Sequence, residues 1–553
     1  MAVEPVRQRS VSRNAFTTGF WTGVSRVLGL ARQILHAGTF GTSTVQSAFV
    51  LAFQVPNLFR RLFGEGALSA AFVPVFAGNL RKGDREASRR LASRMLTLLA
   101  LVLGGAALLG ILLAFALQPF VPETSRWFRV LPLLRILLPY APLICMAAIT
   151  MGILQSLQEF RAPAAAPCLL NLVWIGVLSA ILPFLSWPLE SKIRLLSWAI
   201  LAAGALQFAF LALVLRHKGI RLRPDTAFRA DADIHEILRN AAPAILGSAA
   251  FQINTFLDGI IAMWAAPWAP SCLQYAELIC DLPIGLVITA FATVLLPTLS
   301  HSLAASDLPA ARRTFTESLQ NILVLTLPAA AALFLLSSPL VILFYMRGAF
   351  DADSAARTAG ALSCYALGLP FVGIQKAATA FHNAAKDTRT PMRISLLCIA
   401  LNLVLNIVFV LTLPQVWRHC GLAISTTIST ALNAILLLCS LRRSGLVDSH
   451  RDIALAFLRA FGASLLMGIV IVFLSYIAFY HADTHYASKE ILLHRAALHP
   501  YWKDCLLALG LSAPIGFLVY TTVLDAFTHG PLPSAIRSIR SFPLRLLRKL
   551  LRR

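Results

Sequence analysis

Apolar stretches of roughly twenty residues return along the whole chain, and that recurrence decides the fold class before any motif does. A helix satisfies its own backbone groups, and about 20 residues of it cross the hydrocarbon core of a bilayer. Fourteen such stretches can be marked, over 16–40, 45–80, 92–118, 131–157, 164–186, 195–215, 240–264, 273–299, 315–345, 358–383, 394–413, 420–441, 453–480 and 504–527. The second and ninth exceed one crossing, so they are expected either to project into water or to break. Charged residues make up only 13% of the chain and hydrophobic ones 58%. That is about half the charge of a soluble domain and far too much apolar surface for one soluble core. The expectation is an all-α polytopic membrane protein.

A net charge of +23 suggests nucleic acid in a soluble chain, but here the basic residues sit between apolar stretches. They fall about three to one on the side shared by the two termini, which is the positive-inside pattern. Nucleic acid is therefore not expected as a partner. Both termini are therefore expected on the cytoplasmic side of the membrane. The basic N-terminal segment lacks a small-residue cleavage site after a short apolar core, so it does not read as a removed signal peptide. The tail RSIRSFPLRLLRKLLRR either fixes the direction of the last span or lies as a basic amphipathic stretch on anionic lipid. Nine cysteines without a CxxC pair indicate neither a zinc site nor a disulfide framework.

The chain also repeats itself. AFVPVFAGNLRKGDREASRR (71–90) lines up with VLLPTLSHSLAASDLPAARR (294–313), so that Pro74 falls on Pro297, Asp84 on Asp307, and Arg89 and Arg90 on Arg312 and Arg313. A looser echo joins QSLQEFRAPAAAP (155–167) to TAFHNAAKDTRTP (379–391). Six spans per unit is an even number, so both units run the same way through the membrane. The expected result is a parallel repeat with a cavity between two six-helix lobes. The expected organisation is a cytoplasmic segment 1–15, an N-lobe 16–216, a linker 217–239, a C-lobe 240–442, two additional spans in 443–530 and a basic tail 531–553.

The informative residues are the ionisable ones inside spans. An arginine at mid-bilayer costs roughly 3 kcal/mol on insertion scales, so it normally faces a wet cavity or a partner. The first span carries Arg26 and Arg32 in SRVLGLARQ. Their separation turns them in different directions, which suits one wide cavity better than a single-file stripe. The second carries Arg60 and Arg61 in PNLFRRLFGEG, followed by Glu65. Arg61 and Glu65 have the spacing of a helical ion pair, which leaves Arg60 as the better candidate for an external anion. Guanidiniums in adjacent spans suit a diphosphate, because each offers planar, bidentate donors at any relevant pH. The plainer alternative is arginines snorkelling to the interface from span ends.

The second half has the opposite sign. Asp258 lies in FQINTFLDGIIA, and Glu277 and Asp281 lie one helical turn apart in YAELICDLP. Two carboxylates on one face can bind a cation or exchange a proton, or they can simply touch water at a span end. Asn402 and Asn406 add amide oxygens that could complete a cation site with Asp258, and Lys376 is a lone cation suited to a cavity wall. Coupling to Na+, to H+ or to the membrane potential all remain open. No catalytic constellation emerges: GxSxG, a Walker A loop and a metal–nucleotide-sugar loop are all missing. His481 and His485 have metal spacing but no third ligand.

SRVLGLAR (25–32), PNLFRRLFGEGALSAAFVPVF (56–76), MRGAFDADS (346–354), YALGLPFVGIQKAATAFHNAAKDTRTP (365–391) and GLAISTTISTALNAILLL (421–438) strongly resemble the MurJ (MviN) family. Its members are the lipid II flippases of peptidoglycan synthesis, within the multidrug/oligosaccharidyl-lipid/polysaccharide exporter superfamily. The resemblance runs from about residue 10 to 445 in register. It implies two lobes around a cationic cavity, alternating access, and a groove near the last two spans for a polyprenyl tail. It implies a polyprenyl-diphosphate lipid as substrate, membrane lipids and other cell-wall synthesis proteins as partners, and no cofactor beyond a coupling ion. Arg26, Arg32 and Arg60 match the family's functional arginines, and Glu65 its acidic position. Asp258, Asn402 and Asn406 resemble positions that form a sodium site in some members. The chain departs from the pattern where Gln33 and Ser47 replace acidic residues and where Leu278 replaces an arginine of the eighth span. Lys376 is the candidate to compensate for that loss.

The expected function is therefore transport of lipid II from the cytoplasmic to the periplasmic leaflet. The competing readings are export of another polyprenyl-linked glycan such as an O-antigen unit, a cation-coupled multidrug antiporter, a polyprenyl-phosphate glycosyltransferase and a structural scaffold. A drug antiporter favours an acidic or aromatic cavity for cationic substrates. A glycosyltransferase needs a carboxylate-bearing loop at the membrane face, and a scaffold has no use for costly intramembrane arginines.

Overall fold

The computed structural model describes residues 8–64, 67–447, 451–480 and 499–527. Glu65, His481, His485 and the basic tail lie outside these residues. The chain divides into two compact units, Met1–Met263 and Trp264–Arg553.

The first unit holds α1 (Gln8–Phe40), α2 (Thr44–Phe59), α3 (Ala67–Arg81), α4 (Arg85–Leu117), α5 (Val130–Leu137), α6 (Tyr140–Ser156), α7 (Arg161–Gly176), α8 (Leu189–His217) and nearly all of α9 (Ala232–Ala265). Its core is built from large side chains with almost no exposure, among them Phe40, Phe72, Phe76 and Tyr140. The second unit holds α10 (Ala269–Pro283), α11 (Thr289–Ala304), α12 (Leu308–Leu335), α13 (Ser337–Tyr345), α14 (Ala352–Ala366) and α15 (Leu369–Ala384). It continues through α16 (Arg389–Thr412), α17 (Arg418–Arg443), α18 (Arg451–Tyr480) and α19 (His499–Phe527). The two helices outside the repeat pack here. α18 lies against α12 and α19, and the Tyr520 hydroxyl of α19 donates to the Val324 carbonyl of α12 at 2.6 Å.

Both over-long stretches are broken. The second passes through a five-residue π turn, Arg60–Gly64, after Pro56, and the ninth breaks at Leu336 between α12 and α13. Among the described residues, eight continuous helices are long and apolar enough to cross a bilayer, and three bent pairs raise the count to 11. The stretches outside that count are α1, α2–α3 and α10–α11, which carry Arg26 and Arg32, Arg60 and Arg61, and Glu277 and Asp281 respectively. The charges read as candidate site residues on these three stretches thus lie on helices that are interrupted or too polar for that count. On α4 the side chains of Leu101, Leu108, Leu112 and Phe115 stand exposed, a surface that only lipid covers without penalty. This is a multi-pass membrane protein.

The repeat is legible in the backbone. Asp84 caps α4 by accepting from the Ala87 amide at 2.8 Å, and Asp307 caps α12 from Ala310 at 3.0 Å. The corners before them are left-handed, at Gly83 (φ 78°) and Ser306 (φ 58°). The looser echo is corrected in register. α6 ends on the left-handed Gln158 (φ 60°) and α15 on Lys386 (φ 62°), so Glu159 matches Asp387, about one helical turn from the alignment read off the letters. Apolar helices slip by a turn at little cost in sequence similarity, because the same face stays apolar.

Candidate functional site

α1 presents Arg32 and His36 one turn apart on one face. α7 is fastened to α1 where Asn171 Nδ2 donates to the Ser25 carbonyl at 3.1 Å, and this brings Trp174 beside that face. The Arg32 guanidinium carbon sits 4.6 Å from the centre of the Trp174 ring. The indole Nε1 donates to His36 Nδ1 at 3.3 Å, and His36 Nε2 lies 2.7 Å from Gln46 Oε1 on α2. Trp174 and His36 are buried; Arg32 is half-buried, and its buried Nε has no hydrogen-bond partner.

Arg60 opens the π turn. Such a turn inserts an extra residue into the helix and re-aims the side chains around it, which is why π turns gather at functional sites. Close approach to α6 makes room for it: a Cβ on Gly64 would lie 3.1 Å from Ala148 Cβ, and the Cys145 thiol donates to the Phe59 carbonyl at 3.4 Å. Arg60 is half-buried, donates to Asn57 Oδ1 at 3.3 Å, and lies within electrostatic reach of Arg32. Arg61 is exposed and donates to Gln252 Oε1 on α9 at 3.3 Å. Arg26 is exposed and points away from the Arg32 face, as the spacing requires. So the first unit brings Arg32 and Arg60 together and holds Arg26 and Arg61 apart from them.

The other candidates divide between the units. In the first, Asp258 accepts from Asn254 Nδ2 at 3.1 Å. In the second, Asn402, Asn406 and Ser425 form a buried network, with Asn402 donating to Ser425 and Asn406 donating to Asn402, both at 3.3 Å, and the Ser425 hydroxyl donating back to Asn406. Glu277 and Asp281 stand exposed one turn apart on α10, immediately before the second unit's own π turn, Ile284–Ile288, with Leu278 half-buried between them. Lys376 is exposed on α15. Among the described residues, no group of three or more His, Cys, Asp or Glu side chains is placed to hold a metal ion. The second unit also has an apolar groove of about 890 Å³ walled by α12, α15 and α18, with Phe334, Phe371, Phe461 and Phe473 on its lining.

Sequence reasoning missed the supports of the site. Trp174, His36 and Gln46 were hidden in apolar runs; the Arg32–His36 spacing was the available clue. It also missed a strap in the linker before α9. Arg94 on α4 bridges Asp225 at 3.0 Å and Asp231 at 2.7 Å, and Asn79 donates to Asp233 at 2.6 Å. The Ala227 amide, then Arg94, hold the Asp225 carboxyl below its ordinary range. Lys218, at 2.9 Å, does the same for Glu159.

Comparison with known proteins bears directly on this arrangement. The family model described as lipid II flippase MurJ matches residues 36–489. The chain belongs to the MurJ family. It is 34% identical over 473 residues to a probable lipid II flippase MurJ of Rhizobium tropici, covering 84% of this chain and 87% of that protein. It is 31% identical over 464 residues to the lipid II flippase MurJ of Burkholderia cenocepacia, covering 82% and 88%. A solved lipid II flippase MurJ in an inward closed conformation shares the fold, with a TM-score of 0.70 at 23% identity, over 92% of this chain and 98% of that one. An inward-facing multidrug transporter of the MATE family follows with a TM-score of 0.64 at 16% identity, over 76% of this chain and 95% of that one.

Proposed function

We propose that this MurJ-family chain is a lipid II flippase, a transporter with no covalent chemistry of its own. It moves an undecaprenyl-diphosphate-linked peptidoglycan precursor from the cytoplasmic to the periplasmic leaflet of the inner membrane, with both termini cytoplasmic. The observation that carries the reading, beyond family membership, is the half-buried pair Arg32 and Arg60 in a unit otherwise walled by apolar helices. Such a pair is costly in a membrane and matches the charge and donor geometry of a diphosphate. The apolar groove along α18 suits the polyprenyl tail, which stays in lipid while the head group crosses.

Each unit also holds groups that suit a coupling cation or proton: Asp258 with Asn254 in the first, and Glu277 with Asp281 or Asn402 with Asn406 in the second. Lys376 is the cation of the second unit that best replaces the arginine missing at Leu278, and Glu65 is a further polar contact for the head group. Arg26 extends the cationic surface of α1. Proteins of cell-wall synthesis are the expected partners.

The test is replacement of a bacterial host's own lipid II flippase by this gene, scored by lipid II reaching the outer leaflet. Rescue of growth and of outer-leaflet lipid II is expected. A well-expressed chain that fails to rescue moves the assignment to another polyprenyl-linked glycan.

A further inference from the structure

Arg32 rests on a ring, and the ring is held by a chain of hydrogen bonds. We propose that Trp174 is a positioning residue for the diphosphate site: its indole face orients the Arg32 guanidinium while leaving that cation's charge and donors for the substrate. The proposal rests on the reading of Arg32 as a diphosphate ligand.

Two devices can hold an arginine still inside a membrane protein. A carboxylate does so by pairing, but it spends the arginine's donors and cancels its charge. An aromatic face attracts the cation through its quadrupole and brings no opposite charge. The first unit uses the second device. The guanidinium lies over Trp174 at 4.6 Å, no carboxylate pairs with it among the described residues, and its Nε is left without a partner. A guanidinium carries its N–H donors at its edge, so a ring beneath the face uses none of them.

Trp174 is itself immobilised. Edge-on rings of His36, Phe49 and Phe53 close on it at 5.6, 5.7 and 5.6 Å between centroids. An indole N–H can only donate, so His36 Nδ1 must accept from it. That fixes His36 as the neutral tautomer with its proton on Nε2, donated to Gln46. A doubly protonated ring would have no acceptor for Trp174 and would set a second cation beside Arg32. Three helices thus meet in one relay: α2 orients His36 through Gln46, α1 orients Trp174 of α7 through His36, and Trp174 orients Arg32.

The test uses the purified full-length chain in detergent, with geranylgeranyl diphosphate as probe and geranylgeranyl monophosphate as control. Trp174→Leu is expected to weaken diphosphate binding about tenfold, and Trp174→Phe, which keeps a π face, no more than about threefold. In an Arg32→Ala background, Trp174→Leu is expected to add less than about twofold, because its target is gone. Site-specific incorporation of tryptophans with increasing fluorination at position 174 keeps the shape and weakens only the quadrupole, so it reports even if the leucine variant fails to fold. A stepwise fall in affinity along that series supports the proposal. A flat series beside an intact Arg32→Ala effect overturns it and leaves the diphosphate site standing; wild type that binds both probes equally overturns the site and the proposal together.

Discussion

The two units share a backbone device and differ in what they hang on it. Each interrupts the same stretch of the repeat with a five-residue π turn, Arg60–Gly64 in the first and Ile284–Ile288 in the second. The first turn opens on two arginines; the second is wholly apolar, and its charge sits one or two helical turns earlier as the carboxylates Glu277 and Asp281. The repeat therefore fixes where the chain bends, while the side chains divide the labour. On the proposed function, the anion grip lies at the first turn and carboxylates suited to a cation or proton lie beside the second, with Asp258 of the first unit a further candidate. A fold specifies positions; the site specifies chemistry.

The largest effect should come from erasing that difference. Arg60→Ile makes the first turn resemble the second, and it should lower lipid II flipping about a hundredfold in vesicles, since a charge-assisted phosphate contact is worth roughly 1.5–3 kcal/mol and the substrate loses both attraction and orientation. The converse change, Glu277→Gln with Asp281→Asn, should alter the ion dependence of flipping and leave the diphosphate affinity within about twofold. Flipping lost through weakened lipid binding in the carboxylate variant would break the division of labour.

A second contrast is mechanical. The first unit straps its outgoing linker to α4 through an arginine between two carboxylates, the Arg94–Asp225–Asp231 bridge, whereas among the described residues the second unit's linker is held by Arg312 of α12 donating to the Gly445 carbonyl. Arg94→Ala should destabilise by about 2 kcal/mol, visible as earlier melting in detergent, because it strands two partly buried acids. The pH dependence has a defined sign. Asp225 is held below its ordinary range by the Ala227 amide and by Arg94, and Glu159 by Lys218, so their stabilisation is complete above the unfolded carboxylate range of about 4. It is lost only as pH falls through the depressed values. Melting of wild type should owe nothing to these groups between pH 8 and 5, and should fall in more acidic buffer less steeply in the Arg94→Ala variant than in wild type.

The smallest effect tests the sameness of the units. Gly83 and Ser306 occupy matching left-handed corners. Gly83→Ser should cost about 1 kcal/mol and Ser306→Gly should gain about 0.5–1 kcal/mol, since only glycine enters that region freely. Equal and opposite shifts in melting would show that the corners are equivalent; a Ser306→Gly loss would show that the second corner uses its side chain.

Most of the fold was legible because apolar stretches and caps write themselves plainly: Asp84 and Asp307 stand where the repeat put them, and both over-long stretches break. The echo around Gln158 and Lys386 misled by one turn because apolar helices carry little register information. In the candidate site, Arg32 and Arg60 stood out as candidates, since a guanidinium within a span is conspicuous, and the structure brings the two near each other. Trp174 was not, because an aromatic in an apolar run reads as core until a structure shows what rests on its face. The strap escaped for a related reason: Asp225 and Asp231 sit in a basic linker, and Arg94 is far from them in sequence.

The most direct measurement is the affinity of the purified full-length chain for lipid II in four forms: wild type, Arg32→Ala, Arg60→Ala, and the Glu277→Gln/Asp281→Asn double variant. Tenfold or greater losses are expected in both arginine variants, and an affinity near wild type in the carboxylate variant. Arginine variants that bind lipid II as wild type does, with the loss appearing in the carboxylate variant instead, would contradict the assignment of the diphosphate grip to the first unit.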